Sequence, residues 1–301
     1  MCSVEHGAST RAKLAQRMPE GDTIHRAAAR LRQVLVGQRI EALSCDLAAA
    51  EDWQLAGREL GRVEARGKHL LIHCAPLEAP APGRKPDPRR SEQLPVAIWT
   101  HMGMKGRWRV HPVQAVRPPR AAIVLCTRAH LVVCTQPKIF RLLGPRGLLR
   151  ERSLAQLGPD LLDPAADLDQ AVTRLRSLRD VALGDAIMDQ RAVSGIGNVY
   201  KSELLFLEGL DPFQRVDALG PERLRALLER TRELMQRNLD EGGPRRTRFD
   251  PRAPRKLLWV YERSGRPCPR CQTIVKMRRQ GRLARSTYYC PSCQPSTKPS
   301  T

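Results

Sequence analysis

Two cysteine pairs near the C-terminus, Cys268-Pro-Arg-Cys271 and Cys290-Pro-Ser-Cys293, constrain this chain more than any other feature. Eighteen residues separate them, room for two antiparallel strands and a turn. Two C-x2-C knuckles at this separation can offer four thiolates to one tetrahedral Zn2+, and a cytosolic chain seldom keeps disulfides. With all four ligands cysteine, no coordination position stays open. The spacing therefore predicts one structural zinc, held by Cys268, Cys271, Cys290 and Cys293. The strands are expected at Thr273-Ile274-Val275 and Ser286-Thr287-Tyr288-Tyr289. Arg282 and Arg285 lie just before the second knuckle, where a hairpin turn can push a guanidinium towards a phosphate or into a groove. Zinc ribbons occur in many unrelated proteins, so this signal speaks to shape and not to activity.

Charge narrows the partner. Lys and Arg total 52 against 31 Asp and Glu, a net +21, and such an excess attracts polyanions. Between Pro244 and Arg285 there are 14 Lys/Arg and only two acids, Asp250 and Glu262, which makes a local basic surface. No apolar run approaches the ~20 residues of a membrane span. The leading MCSVEHGASTRAKLAQR has no apolar core and is no secretory signal. A soluble, cytosolic protein is expected, with no membrane partner. The remaining cysteines, Cys2, Cys45, Cys74, Cys126 and Cys134, are scattered, the last three in strand-like runs where small buried thiols are common.

Along the chain, residues 1–17 read as an unstructured extension. Asp22 to Gly37 reads as a helix, capped by Asp22, ended by Gly37, with Ile24, Ala27, Ala28, Leu31 and Leu35 on one face. Strand-like stretches follow at Arg62–Cys74, Val96–Val110 and Ala121–Thr135, the last a hairpin around Arg128–His130. Pro76 to Pro95 is a Pro-rich surface insertion. From Ser153 to Leu239 the apolar spacing is helical, and Leu224, Leu227, Thr231, Leu234 and Met235 form a stripe best read as core. Gly242 to Arg255 is a basic link to the cysteine cluster.

Within VALGDAIMDQRAVSGIGNVYKSELLFLEGL, two short amphipathic helices are expected on either side of Ser194-Gly195-Ile196-Gly197, with Asn198 at the second helix's cap. Glycines let a backbone approach a ligand, and free N–H groups at a helix start favour phosphate. For the Gly-Ile-Gly alone, an ordinary helical hairpin with an Asn cap is the simpler reading. GIGNVYKSELLF resembles the helix–two-turn–helix signature of the formamidopyrimidine-DNA glycosylase/endonuclease VIII family, and ARSTYYCPSCQ resembles that family's zinc hairpin. The likeness runs in the same order from Met18 to Gln294. It implies that Asn198 and Arg285 bind phosphates beside a lesion.

MPEGDTIHR carries a third match. Alone, Pro19-Glu20 is a good helix entry. In the family the initiator Met is removed and the exposed proline is the nucleophile, so the resemblance makes Pro19 the attacking amine and Glu20 the acid/base at the sugar ring oxygen. An α-amine, with pKa near 8 against about 10.4 for lysine, is far more often neutral near pH 7. The resemblance further places Lys68 of EARGKHLL on the lesion phosphate as part of the catalytic set. In HMGMKGRWRV it makes His101 a phosphate contact and Met104 the wedge that fills the gap of a flipped nucleotide. By spacing alone Met104 would be core. Two departures stand out: Pro19 is internal here and its nitrogen an amide, and Thr23 stands where many members carry Glu. We expect translation to start at Met18.

The expected fold is α+β and multidomain. Residues 1–17 form an extension, 18–150 a catalytic β-sandwich domain with its N-terminal helix, 151–250 a helix–two-turn–helix DNA-binding domain, 251–296 a zinc-binding β-hairpin and 297–301 a tail. The resemblance implies a bifunctional DNA glycosylase/AP lyase of base excision repair. PEG after the mature start, and WRV after the wedge, lean towards endonuclease VIII and oxidised pyrimidines. An oxidised-guanine enzyme of the same family is the alternative, as is a silent binder of damaged DNA if Pro19 stays blocked. The partner is damaged DNA, the only cofactor Zn2+, and the protein a monomer.

Overall fold

The computed structural model describes residues 19–45, 53–77, 94–118, 121–249, 251 and 257–296. The extension, most of the Pro-rich insertion and the tail lie outside them. The chain forms two compact units, one of Thr23–Gln156 and the other of Leu157–Thr301 together with the segment up to Asp22.

Helix α1 (Gly21–Leu35) contributes a one-sided apolar face to the first unit. Ile24, Ala28, Leu31 and Leu35 are buried in its core, and Ala27 packs at the margin. Gly37, at φ +77, turns the chain out of the helix, a conformation costly for any residue with a Cβ. The helix starts one residue earlier than expected, so Asp22 sits inside the first turn instead of capping it.

Eight strands follow: β1 (Ala42–Cys45), β2 (Leu60–Arg66), β3 (His69–Cys74), β4 (Val96–His101), β5 (Arg107–Pro112), β6 (Ala121–Cys126), β7 (His130–Thr135) and β8 (Ile139–Leu143). They form two antiparallel four-stranded sheets, ordered β2-β3-β4-β8 and β1-β6-β7-β5. Leu70, Ile72 and Ile98 of the first sheet share one core with Ile123, Leu125, Val132 and Cys134 of the second. Each expected strand stretch resolves into two strands, and β6 and β7 pair as the expected hairpin. β4 and β5 belong to different sheets, so the turn between them crosses the sandwich. Arg58 is buried, and its guanidinium donates to the carbonyls of Trp53, Gln54, Ala75 and Leu94. Ala75 and Leu94 stand at the two ends of the insertion, and this one side chain bonds to both. Two short helices, α2 (Pro145–Arg150) and α3 (Arg152–Ala155), end the unit.

The second unit holds α4 (Leu168–Ser177), α5 (Leu183–Ala186), α6 (Asn198–Leu207), α7 (Pro221–Glu241) and the hairpin β9 (Lys276–Gln280) with β10 (Arg285–Tyr289). The expected α7 stripe is buried throughout. Helix α6 departs from expectation. Every residue from Asn198 to Phe206 is buried, so α6 is a central helix and not an amphipathic one. Strand β9 begins at Lys276, because Thr273–Val275 belong to the first knuckle. There Cys268 N–H donates to Thr273 O and Val275 N–H to Arg266 O, folding the chain back before it can extend.

Candidate functional site

The segment Pro19–Asp22 is seated on the start of α6. Gly21 N–H donates to Gly195 O at 2.9 Å, and Gly195 takes φ +103. A Cβ on Gly21 would come within 2.9 Å of Gly195 Cα, and one on Gly197 within 2.3 Å of Glu20 Cδ. Glycine at these positions is what lets the two segments meet. The Glu20 carboxylate, 2% exposed, accepts N–H groups from Gly197 (3.1 Å), Val199 (2.8 Å) and Tyr200 (3.3 Å). These are donors that a helix start leaves unpaired, and the helix dipole favours an anion there. The cap position belongs to Gly197, and Asn198 is the first helical residue, one later than expected. Glu20, from 177 residues upstream of Gly197, does the capping. Pro19 beside it is buried.

Asp22 and Arg245 meet at the same place. Arg245 Nε donates to Asp22 Oδ2 at 2.9 Å, Nη2 closes the second arm on Oδ1, and Tyr200 Oη donates to Oδ2 at 3.2 Å. Arg245 Nη1 also lies 4.0 Å from Glu20 Oε1. Both partners are shut off from water. The two acids hold the guanidinium charged well above the usual arginine range despite its burial. The sequence reading of Asp22 as a cap missed this pair, since its partner is 223 residues away.

Helix α6 also grips the hairpin. Asn198 Nδ2 donates to Ser286 O (2.7 Å) and Oγ (3.2 Å), and Lys201 Nζ to Thr287 Oγ1 (2.7 Å) and Ser286 O (3.3 Å). Tyr288 N–H donates to Ser202 Oγ at 3.3 Å. Burial lowers the Lys201 amine to about 8, against the pull of Asp185. Glu203 is fully buried and accepts from Thr247 Oγ1 and the N–H groups of Trp259, Val260 and Tyr261. Burial raises its pKa. An acid in a run as apolar as SELLFL was the available sign that a buried partner exists. Arg285, exposed at the start of β10, is thus carried on a strand bonded directly to Asn198's helix.

The four knuckle sulfurs lie within 4.8 Å of one another. Cys268 and Cys293 are 3.9 Å apart, Cys271 and Cys290 3.4 Å. A tetrahedral zinc with 2.3 Å bonds to sulfur needs edges of about 3.8 Å, whereas a disulfide needs about 2.05 Å. The sulfurs therefore fit a metal and not a crosslink.

The first unit groups the other expected residues. Lys68 lies in the β2–β3 turn, half-buried, near His69 and His101. His101 ends β4, and its Nδ1 accepts Gly103 N–H at 3.0 Å, which puts the ring proton on Nε2. Burial, reinforced by Lys68 and Lys138, lowers His101 to about 4, so near neutral pH it is an uncharged donor. His69, missed in the sequence, accepts Trp99 Nε1–H at 3.1 Å and stands edge-on to His101 at 4.8 Å. The β4–β5 turn closes through Gly106 N–H to Met102 O, with Gly103 at φ +61. Met102 is buried in the core while Met104, two residues on, is 70% exposed. Spacing alone would have buried Met104.

Residues 18–149 match the family model described as the formamidopyrimidine-DNA glycosylase N-terminal domain, and 157–249 the formamidopyrimidine-DNA glycosylase H2TH domain. The chain is 33% identical to a probable endonuclease 8 2 of Streptomyces coelicolor, over 94% of this chain and 96% of that protein. It is 34% identical to a DNA-(apurinic or apyrimidinic site) lyase of Mycolicibacterium smegmatis, over 92% and 99%. The fold is similar to Lactococcus lactis formamidopyrimidine-DNA glycosylase bound to DNA with an abasic site, at TM-score 0.71 and 19% identity, covering 92% of this chain and all of that one. Among the described residues no helix is long and apolar enough to cross a membrane.

Proposed function

Since the chain belongs to the formamidopyrimidine-DNA glycosylase/endonuclease VIII family, and so is a DNA glycosylase and AP lyase of base excision repair, we propose that it excises oxidised pyrimidines through Pro19. The observation that carries the reading is Glu20, a buried carboxylate held by three N–H groups beside Pro19. In the reaction the free Pro19 nitrogen attacks C1′, the glycosidic bond breaks and the base leaves. Glu20 takes the proton that the Pro19 nitrogen sheds on attack and hands it to the ring oxygen as the sugar opens, giving an iminium, while the departing base takes its proton from water. That cation takes up the electrons released when a C2′ proton is lost, and the 3′-phosphate departs. A second elimination releases the 5′-phosphate.

Lys68, His101, Asn198 and Arg285 bind the phosphates near the lesion, and Met104 fills the space of the extruded nucleotide. Its exposure supports that role, because an apolar side chain held out in water by a tight turn gains by entering a base stack. Zinc, bound by Cys268, Cys271, Cys290 and Cys293, holds the hairpin and supplies no chemistry. Replacing Lys68 or Arg285 by Ala should weaken DNA binding and flatten its salt dependence by about one unit of slope each. Asn198→Ala, which removes no charge, should weaken binding with the slope unchanged. Titrations at several salt concentrations check this, and unchanged slopes in both cationic variants would remove these residues from the interface.

Duplexes carrying thymine glycol or oxidised guanine, given to protein that begins at Pro19, test the substrate. Faster excision of thymine glycol is expected, and faster release of oxidised guanine would overturn the pyrimidine assignment. Glu20→Gln should lose about 100-fold or more in excision yet still cut a preformed abasic site, because elimination needs less help with ring opening. Equal losses on both substrates would remove Glu20 from the base-release step.

A further inference from the structure

Resting on that reading, we propose that Asp22 and Arg245 are a positioning pair that holds Pro19 and Glu20 in the reactive arrangement. The three N–H groups fix the Glu20 carboxylate, but Gly21 follows it, and a glycine leaves the backbone on either side free to rotate. The Gly21 N–H to Gly195 O bond removes part of that freedom. Asp22 removes the rest. Its carboxylate is engaged by Arg245 on both oxygens and by the Tyr200 hydroxyl, so the chain is anchored on both sides of the glycine.

One guanidinium faces both acids, bidentate to Asp22 and 4.0 Å from Glu20. It arrives from the segment after α7, where Gly242 and Gly243 at φ +62 and +72 turn the chain. Buried ion pairs add little net stability over apolar packing, and replacing both partners by hydrophobes is often neutral. Such a pair, placed two residues from Glu20, is better accounted for by the orientation it imposes. Thr23, next in the chain, carries no carboxylate that could substitute.

The test uses zinc-loaded protein beginning at Pro19, with single-turnover excision and borohydride trapping read beside affinity for a duplex bearing an uncleavable abasic analogue. Arg245→Met should slow both reactions about 100-fold, the scale of a misplacement near 1 Å, with affinity within about threefold of the parent. Arg245→Lys, which restores the charge without the fork, should recover about tenfold of that loss. A purely structural pair would instead lower thermal stability and leave the rates below the melting range untouched. Wild-type rates in a folded, DNA-binding Arg245→Met protein, or a loss confined to affinity, would overturn the proposal. Should that variant not fold, Asp22→Asn keeps the shape and removes the charge, and wild-type rates there would overturn it equally. A parent that traps beside an equally fast variant sinks the pair alone. A parent that does not trap sinks the proline reading and the pair with it.

Discussion

Protein that begins at Pro19 will be captured covalently on abasic DNA by borohydride, and the intact 301-residue chain will not. The difference lies in one nitrogen. As an α-amine it has a pKa near 8 and a lone pair available at neutral pH, whereas as an amide it has neither. The surroundings are already built for it, with Glu20 seated on α6 and Gly21 tied to Gly195. Pro19→Gly in the short form keeps an α-amine and should retain part of the trapping. Mass spectrometry of both proteins before and after reaction reads the result. Equal capture of the uncleaved 301-residue chain would assign the attack to another amine, such as Lys68.

The second large effect is on the metal. Zinc analysis should return one ion per chain, and its removal should unfold the hairpin and abolish tight DNA binding. Among the described residues, the apolar cluster around the knuckles consists of Phe206, Val260, Val275, Cys268 and Cys290, with Trp259, Tyr288 and Cys293 at its edge. A cluster that small cannot offset the chain entropy of some 40 ordered residues, at 1–2 kcal/mol each for the backbone alone. Structural zinc sites in finger peptides contribute about 10–16 kcal/mol. Cys290→Ser should therefore lose most of the metal and the amide-exchange protection of β9 and β10. A zinc-free protein with that protection intact would refute the assignment.

What the sequence made legible was local. The knuckle spacing, the β6–β7 hairpin, the α7 stripe and the α1 face all repeat over a few residues, and each has a structural counterpart. Strands β1 and β8 were not legible, because four or five residues, none of them buried, are too short a run to show a period. Arg58 reads as a surface cation until its carbonyl partners on both flanks of the insertion are seen. Asp22 likewise has the sequence position of a cap, and only the fold brings Arg245 to it. The one-residue error at Asn198 has the same origin: the cap of α6 is supplied by Glu20, from the far end of the chain. Long-range polar pairing leaves no period to detect.

Asn198, Lys201 and Ser202 join α6 to β10 by hydrogen bonds, so the helix start that receives Glu20 and the strand that carries Arg285 are parts of one cooperative body. Thermodynamic linkage then applies to its two ligands. Whatever factor zinc adds to the affinity for DNA, bound DNA must return to the affinity for zinc. If zinc strengthens DNA binding as expected, a copy engaged on a lesion will hold its metal more tightly than an idle one. Chelators and thiol oxidants should then fall hardest on molecules that are not at work.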